Sequence, residues 1–141
     1  SLILEITEGA MMDNPELCLE ILREIDKAGI GVSIDDFGTG YSSLAYLKYL
    51  PAQELKIDKS FVINMLEDSR DKGIVKAAVD IAHNLDLRIV AEGIESKEML
   101  EFLVEIGCDS GQGFYIARPM PEDKFIQWVR DSPWADGLNL P

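Results

Sequence analysis

A chain of 141 residues is the size of one domain and long enough to bury a core. Its apolar (47%) and charged (28%) fractions are those of a globular protein rather than a disordered one. The net charge of −13 leaves no basic face to neutralise a phosphate backbone, which excludes a nucleic acid polymer as partner. A small phosphate ester remains compatible with such acidity only if cations supply the positive charge. No apolar stretch reaches the ~20 residues of a membrane span, so no direct membrane contact is expected, and no signal peptide opens the chain. Cys18 and Cys108 stand alone, without a CxxC partner, which is the pattern of reduced thiols in a cytoplasmic protein.

The chain opens directly on the apolar run Leu2-Ile3-Leu4-Glu5-Ile6, which is expected to be a strand and has the look of a cut end. Thr7-Glu8-Gly9 is expected to form a loop. Asn14 as N-cap and Pro15 at the first helical position then start a helix, with Leu17, Ile21, Leu22 and Ile25 as its apolar stripe and Gly29 at its end. Gly31–Asp36 is the second strand, and Tyr41–Leu50 carries helical spacing up to Pro51. Glu54–Asp58 is the third strand and Lys59–Leu66 a short helical turn. A longer helix, capped by Ser69 or Asp71, runs over Gly73–Leu85, and Arg88–Glu92 is the fourth strand. Ser96 opens a helix that Gly107 ends; a weaker fifth strand covers Gln112–Ile116, and a last helix covers Glu122–Arg130. Residues 131–141 are expected to be an irregular tail.

Strand and helix thus alternate five times, and strands that are nearly continuous apolar runs mean a parallel sheet covered by helices. Side chains alternate between the faces of a strand. Glu5, then Ser33 with Asp35, then Lys56 with Asp58, then Arg88 with Glu92 share one face, while Leu4, Ile34, Leu55, Ile57, Ile89 and Ala91 share the other. One aliphatic face with charges converging on the opposite one is the arrangement of a closed barrel, whose chemistry sits at the C-terminal ends of its strands. The adjacent pair Asp35-Asp36 ends such a strand. It reads either as a solvated turn with one Asp capping a helix, or as two carboxylates held together by a cation. Lys56 on a buried strand requires anionic partners, for which Glu5, Asp35, Glu92 or a substrate phosphate qualify. Carboxylates with one lysine suit hard divalent cations and phosphoester hydrolysis. His83, in mid-helix, fits a packed or surface histidine better than a ligand.

Five blocks carry a family resemblance: Glu5-Ile6-Thr7-Glu8, Asp35-Asp36-Phe37-Gly38-Thr39-Gly40-Tyr41-Ser42-Ser43-Leu44, Lys56-Ile57-Asp58-Lys59-Ser60-Phe61, Val90-Ala91-Glu92-Gly93-Ile94-Glu95 and Gln112-Gly113-Phe114. In order and spacing the chain resembles the EAL-domain cyclic-di-GMP phosphodiesterases over residues 1–130. The resemblance implies a partial TIM-like (β/α) barrel, about five βα units forming the C-terminal portion of the eight-stranded EAL domain. It implies Glu5, Asp35 and Asp36 as ligands of two Mg²⁺ or Mn²⁺ ions. Lys56 would stabilise the attacking water and the phosphate charge, and Glu92 would bind metal or water. Gln112 would stand near the substrate at the mouth, and Glu8 would anchor the Phe37–Ser43 loop. The implied reaction is water attack on one phosphodiester of cyclic di-GMP, opening it to linear pGpG, in a protein that can be attached to a membrane sensor.

The family's Glu-Ala-Leu motif and an asparagine ligand lie upstream of everything in this chain, and an eight-stranded barrel takes ~250 residues. The chain by itself is therefore expected to be inactive, and its open sheet edges are expected to favour a homodimer or other self-association. Two rivals differ in kind. A receiver-type domain also has five βα units, but its acidic pair follows the first strand and its lysine ends the fifth. A catalytically silent EAL domain, binding cyclic di-GMP or a protein partner, would keep the blocks seen here.

Overall fold

The computed structural model describes residues 2–40 and 44–133. In chain order it contains β1 (Ile3–Thr7), α1 (Glu8–Asp13), α2 (Pro15–Lys27), β2 (Gly31–Phe37), α3 (Leu44–Leu47) and β3 (Glu54–Ile57). There follow α4 (Lys59–Asn64), α5 (Ser69–Asn84), β4 (Arg88–Ala91), α6 (Lys97–Glu105), β5 (Ser110–Gly111) and α7 (Glu122–Asp131). All strand pairs are parallel, and the spatial order β1-β2-β3-β4-β5 is the sequence order. An order that never reverses is a barrel segment, not a doubly wound sheet. Right-handed crossovers that always step to the next strand put the connecting helices on the same side.

That side is the aliphatic one. Ile34, Leu55, Ile57, Ile89 and Ala91 are all fully buried, packed in one core with Val62, Met65, Val75, Ala78, Val79 and Ala82. The face predicted by period-2 alternation is therefore the packed face. The opposite face holds Ser33 and Lys56, both buried. At the β1 edge the apolar cover runs out. Leu2, Ile3 and Leu4 are exposed, and of the α2 stripe only Leu22 is buried. A groove of about 400 Å³ opens there, lined by Leu4, Ile6, Leu17, Ile21 and Val32.

Four elements differ from expectation. The Thr7-Glu8-Gly9 segment is not a loop but the start of α1. Thr7 Oγ1 accepts the Ala10 N–H at 3.3 Å as an N-cap, and the helix buries Glu8 and Met11. The helix expected over Tyr41–Leu50 is helical only over Leu44–Leu47, with residues 41–43 outside the described residues. Helix α5 begins a turn earlier than Gly73, because Asp68, rather than Ser69 or Asp71, accepts the Arg70 N–H as its cap. The fifth strand is not Gln112–Ile116 but the two residues Ser110–Gly111. The Gln112 N–H still donates to the Ala91 carbonyl at 2.9 Å, but Ile116 and Ala117 donate back to Gly113 as the chain coils. The turn is held by Ile94, whose N–H donates to the Gln112 carbonyl and whose carbonyl accepts the Tyr115 N–H. A side chain on Gly113 would collide with the Ile94 backbone.

Two alanine substitutions should then have opposite signs in urea unfolding. Gly73 lies exposed inside α5, and an added Cβ meets nothing within 4 Å, so Gly73→Ala should stabilise by about 0.5–1 kcal/mol. Gly113→Ala should destabilise by about 2 kcal/mol or more through the Ile94 clash. Equal effects would contradict the packing described.

Candidate active site

Lys56 projects from β3 into the polar face and is only 6% exposed. Its Nζ lies 2.8 Å from Glu5 Oε1 on β1, 2.7 Å from Glu92 Oε1 just beyond β4, and 3.4 Å from Asp35 Oδ1 on β2. Parallel strands in this register end at the same level, so carboxylates from three of them reach one ammonium. Burial pushes the Lys56 ammonium down, but the hydrogen bonds to Glu5 and Glu92 and the charges of Glu92 and Asp35 outweigh it. The net shift is upward, so Lys56 stays charged at neutral pH and above.

A second group forms at the top of β2. Asp35 Oδ1 accepts the N–H of Asp36 at 2.9 Å, and Asp36 adopts φ 57°, a left-handed conformation that aspartate takes only at a cost. Asp58 ends the third strand instead of continuing it. It caps α4 by accepting the Ser60 N–H at 2.9 Å and bonds the Ser60 hydroxyl as well. Burial, the charges of Asp35 and Asp58 and a hydrogen bond with Asp58 all push the Asp36 carboxyl up, against a smaller pull from Lys56. Asp36 and Asp58 are thus close neighbours, and their interaction raises Asp36 and lowers Asp58. Asp58 is the acidic residue that the sequence reasoning left without a role, although its place two residues after Lys56 was visible.

Glu8, 1% exposed, points from the start of α1 under the loop after β2. Its Oε2 accepts the N–H groups of Gly38 (3.0 Å) and Gly40 (3.3 Å), while Oε1 has no partner among the described residues. On its other side Gly38, at φ 98°, lies against the Phe61 ring from α4, where a Cβ would not fit without displacing the ring. The remainder of the expected loop, residues 41–43, lies outside the described residues.

Gln112 Nε2 donates to Glu92 Oε1 at 2.7 Å, the same oxygen that receives Lys56. Beyond it runs a groove of about 600 Å³ lined by Lys59, Glu92, Gln112, Phe114 and Arg118. The Arg118 guanidinium stands 4.4 Å over the exposed Phe114 ring. Six of the seven predicted site residues (Glu5, Asp35, Asp36, Lys56, Glu92 and Gln112) therefore surround one mouth, with Glu8 behind the loop that borders it. Among the described residues no three His, Cys, Asp or Glu side chains converge closely enough to hold a metal by themselves. Glu5, Asp35 and Glu92 are instead gathered on Lys56. His83 is away from the mouth, its Nε2 3.1 Å from Asp109 Oδ2.

A partial parallel barrel with a lysine in a carboxylate cradle at its strand ends defines the class. The EAL domain family model matches residues 1–119, and the chain belongs to that family. MucR of Pseudomonas aeruginosa, named a bifunctional diguanylate cyclase/cyclic di-GMP phosphodiesterase, is 51% identical over 128 residues, covering 91% of this chain and 19% of that protein. The solved PaMucR phosphodiesterase in its c-di-GMP complex is 52% identical with a TM-score of 0.86, covering 88% of this chain and 50% of that one. The EAL domain of Mycobacterium smegmatis DcpA is 38% identical with a TM-score of 0.83, over 92% and 58%. This chain thus spans about a fifth of the curated MucR protein and about half of the solved domain. Its sheet is part of a TIM-barrel-like EAL domain. No helix among the described residues is long and apolar enough to cross a membrane.

The strained Asp36 makes a stability prediction. Asp36→Gly relieves the left-handed backbone and one like-charge contact, and should raise the unfolding free energy by about 1 kcal/mol. A loss of stability would show instead that the Asp36 carboxyl holds the strand end in place.

Proposed function

We propose that this chain is the C-terminal portion of a divalent-metal-dependent phosphodiesterase that hydrolyses cyclic di-GMP to linear pGpG. One observation carries the reading: a buried lysine held by Glu5, Asp35 and Glu92 at the strand ends, in a family whose relatives include named cyclic di-GMP phosphodiesterases. A charged Lys56 cannot serve as a general base, so its contribution is electrostatic. It neutralises charge that builds on the phosphate oxygens as water adds to phosphorus and one ring P–O bond breaks. Glu92 Oε1 is taken by Lys56 and Gln112, which leaves its second oxygen to hold water or a cation. Gln112 borders the 600 Å³ groove, and in that groove Phe114 offers a ring face to a purine. Glu8 fixes the loop over Gly38 and Gly40 and so steadies Asp35 and Asp36 at its root.

The donor set fits Mg²⁺ or Mn²⁺. Asp35, Asp36, Asp58, Glu5 and Glu92 offer only hard oxygens, and the Asp36 carboxyl, pushed up by burial and by its acidic neighbours, marks negative charge that lacks a counterion. When bound, such ions activate water and offset charge on the leaving oxygen. Since the described residues do not converge on a metal by themselves, the remaining ligands come from the part of the domain that this chain does not span.

Two experiments test this reading. In a polypeptide carrying this chain behind the preceding barrel strands, Lys56→Ala should lower kcat for cyclic di-GMP at least ~100-fold in the folded fraction. Near-normal turnover with a lowered melting temperature would make Lys56 a structural residue. The 141-residue chain alone should hydrolyse cyclic di-GMP far more slowly than that longer polypeptide in Mg²⁺. Comparable rates would overturn the split of the metal ligands, and binding without turnover in the longer protein would favour a silent signalling module.

A further inference from the structure

At the N-terminal end of the sheet, opposite the mouth, two side chains do the work of backbone. Gln53, the residue before β3, accepts the Val32 N–H through Oε1 at 2.7 Å. Asp109, the residue before β5, accepts the Ile89 N–H through Oδ2 at 2.9 Å. Val32 and Ile89 are each the second residue of the neighbouring strand, β2 and β4. The same local device therefore occurs twice. It occurs at the two strand interfaces whose own ladders are weakest. β2 and β3 pair at Ser33–Glu54 and Ile34–Leu55 and, past a register shift, at Phe37–Ile57, with the Gln53 N–H also on the Val32 carbonyl; β4 and β5 pair only at Val90–Ser110 and Ala91–Gly111. Across the well-paired β1–β2 and β3–β4 interfaces no side chain caps a strand amide among the described residues.

Each clamp has a counterpart three residues on, about 10 Å up the sheet. Val32 and Gln53 lead to Asp35 and Lys56, whose ion pair spans 3.4 Å. Ile89 and Asp109 lead to Glu92 and Gln112, whose hydrogen bond spans 2.7 Å. We propose that Gln53 and Asp109 are positioning residues that set the registers of β2–β3 and β4–β5, and through them the Lys56–Asp35 and Gln112–Glu92 contacts. A one-residue slip of a strand sends every side chain to the opposite face, so a clamp at the bottom decides what faces the mouth at the top. The demand is greatest at β5, whose ladder has only two residue pairs; beyond it Gln112 is held by its backbone bonds to Ala91 and Ile94, which fix its place only if β5 enters in register. The same Asp109 Oδ2 also meets His83 Nε2 on α5 at 3.1 Å, an exposed contact whose loss leaves the Ile89 hydrogen bond in place.

The inference rests on the phosphodiesterase reading for its kinetic arm only. In the longer polypeptide, Asp109→Ala should lower kcat for cyclic di-GMP about tenfold per folded molecule, with KM changing less than about twofold. Asp109→Asn, which keeps an acceptor for Ile89, should restore kcat to within about twofold of the parent, and His83→Ala should leave it unchanged. A second readout needs no activity: the side-chain amide ¹⁵N–H₂ resonance of Gln112 should shift in Asp109→Ala and stay in place in Asp109→Asn. If Asp109→Ala does not fold, Gln53→Ala makes the same test at Lys56, read by its ¹⁵Nζ resonance. Normal kcat with unmoved resonances in the alanine variants, or an equal effect of His83→Ala, overturns the proposal. If the parent itself does not turn over cyclic di-GMP, the phosphodiesterase reading fails, and the resonances alone decide the register claim.

Discussion

A buried ammonium is one of the costliest groups a protein can hold, and Lys56 is tolerable only because carboxylates from β1 and β2 and from just beyond β4 close on it. That requirement constrains much else. The three carboxylates must reach the same level, which needs parallel strands in fixed register. Fixed register needs an aliphatic face packed hard enough to resist slipping, and the fully buried Ile34, Leu55, Ile57, Ile89 and Ala91 provide it. A sheet whose order follows the sequence then sends the helices that connect its strands to that face and leaves the other free.

Charge is balanced locally rather than over the molecule. The net charge of −13 would make a concave cluster of carboxylates repulsive, and one lysine answers three of them. Asp36 and Asp58 lie outside its direct reach; burial, then the charges of Asp35 and Asp58, shift the Asp36 carboxyl upward, and the same residue has a left-handed backbone. Asp86 shares the left-handed φ of 57°, but at Asp36 that backbone coincides with an acidic neighbourhood at the strand ends, the combination that functional sites favour.

Much of this was legible in the sequence because a strand's period is two. Glu5, Asp35, Lys56 and Glu92 fall on one face by counting alone, and the structure brings these four together. What escaped was decided by contacts remote in sequence or by elements too short to show a period. Helix α1 has six residues and a glycine in its first turn, so only the Thr7 cap betrays it. The run Phe114-Tyr115-Ile116 has a strand's composition, yet Gly113 packs against the Ile94 backbone and the chain coils. Asp58 kept its place at the mouth while changing its job, from strand residue to helix cap. The α2 stripe at Leu17 and Ile21 was read correctly as apolar, but its cover is not among the described residues.

The account turns on Lys56 being a fixed cation, and its own resonance reports that most directly. With divalent ions chelated, the ¹⁵Nζ shift of Lys56 in the longer polypeptide can be followed from about pH 7 to 11. The carboxylate cradle predicts an ammonium that persists beyond the ~10.4 at which a free lysine titrates. A Lys56 that loses its proton at or below that value would show that burial outweighs the cradle, and would contradict the electrostatic role assigned to it.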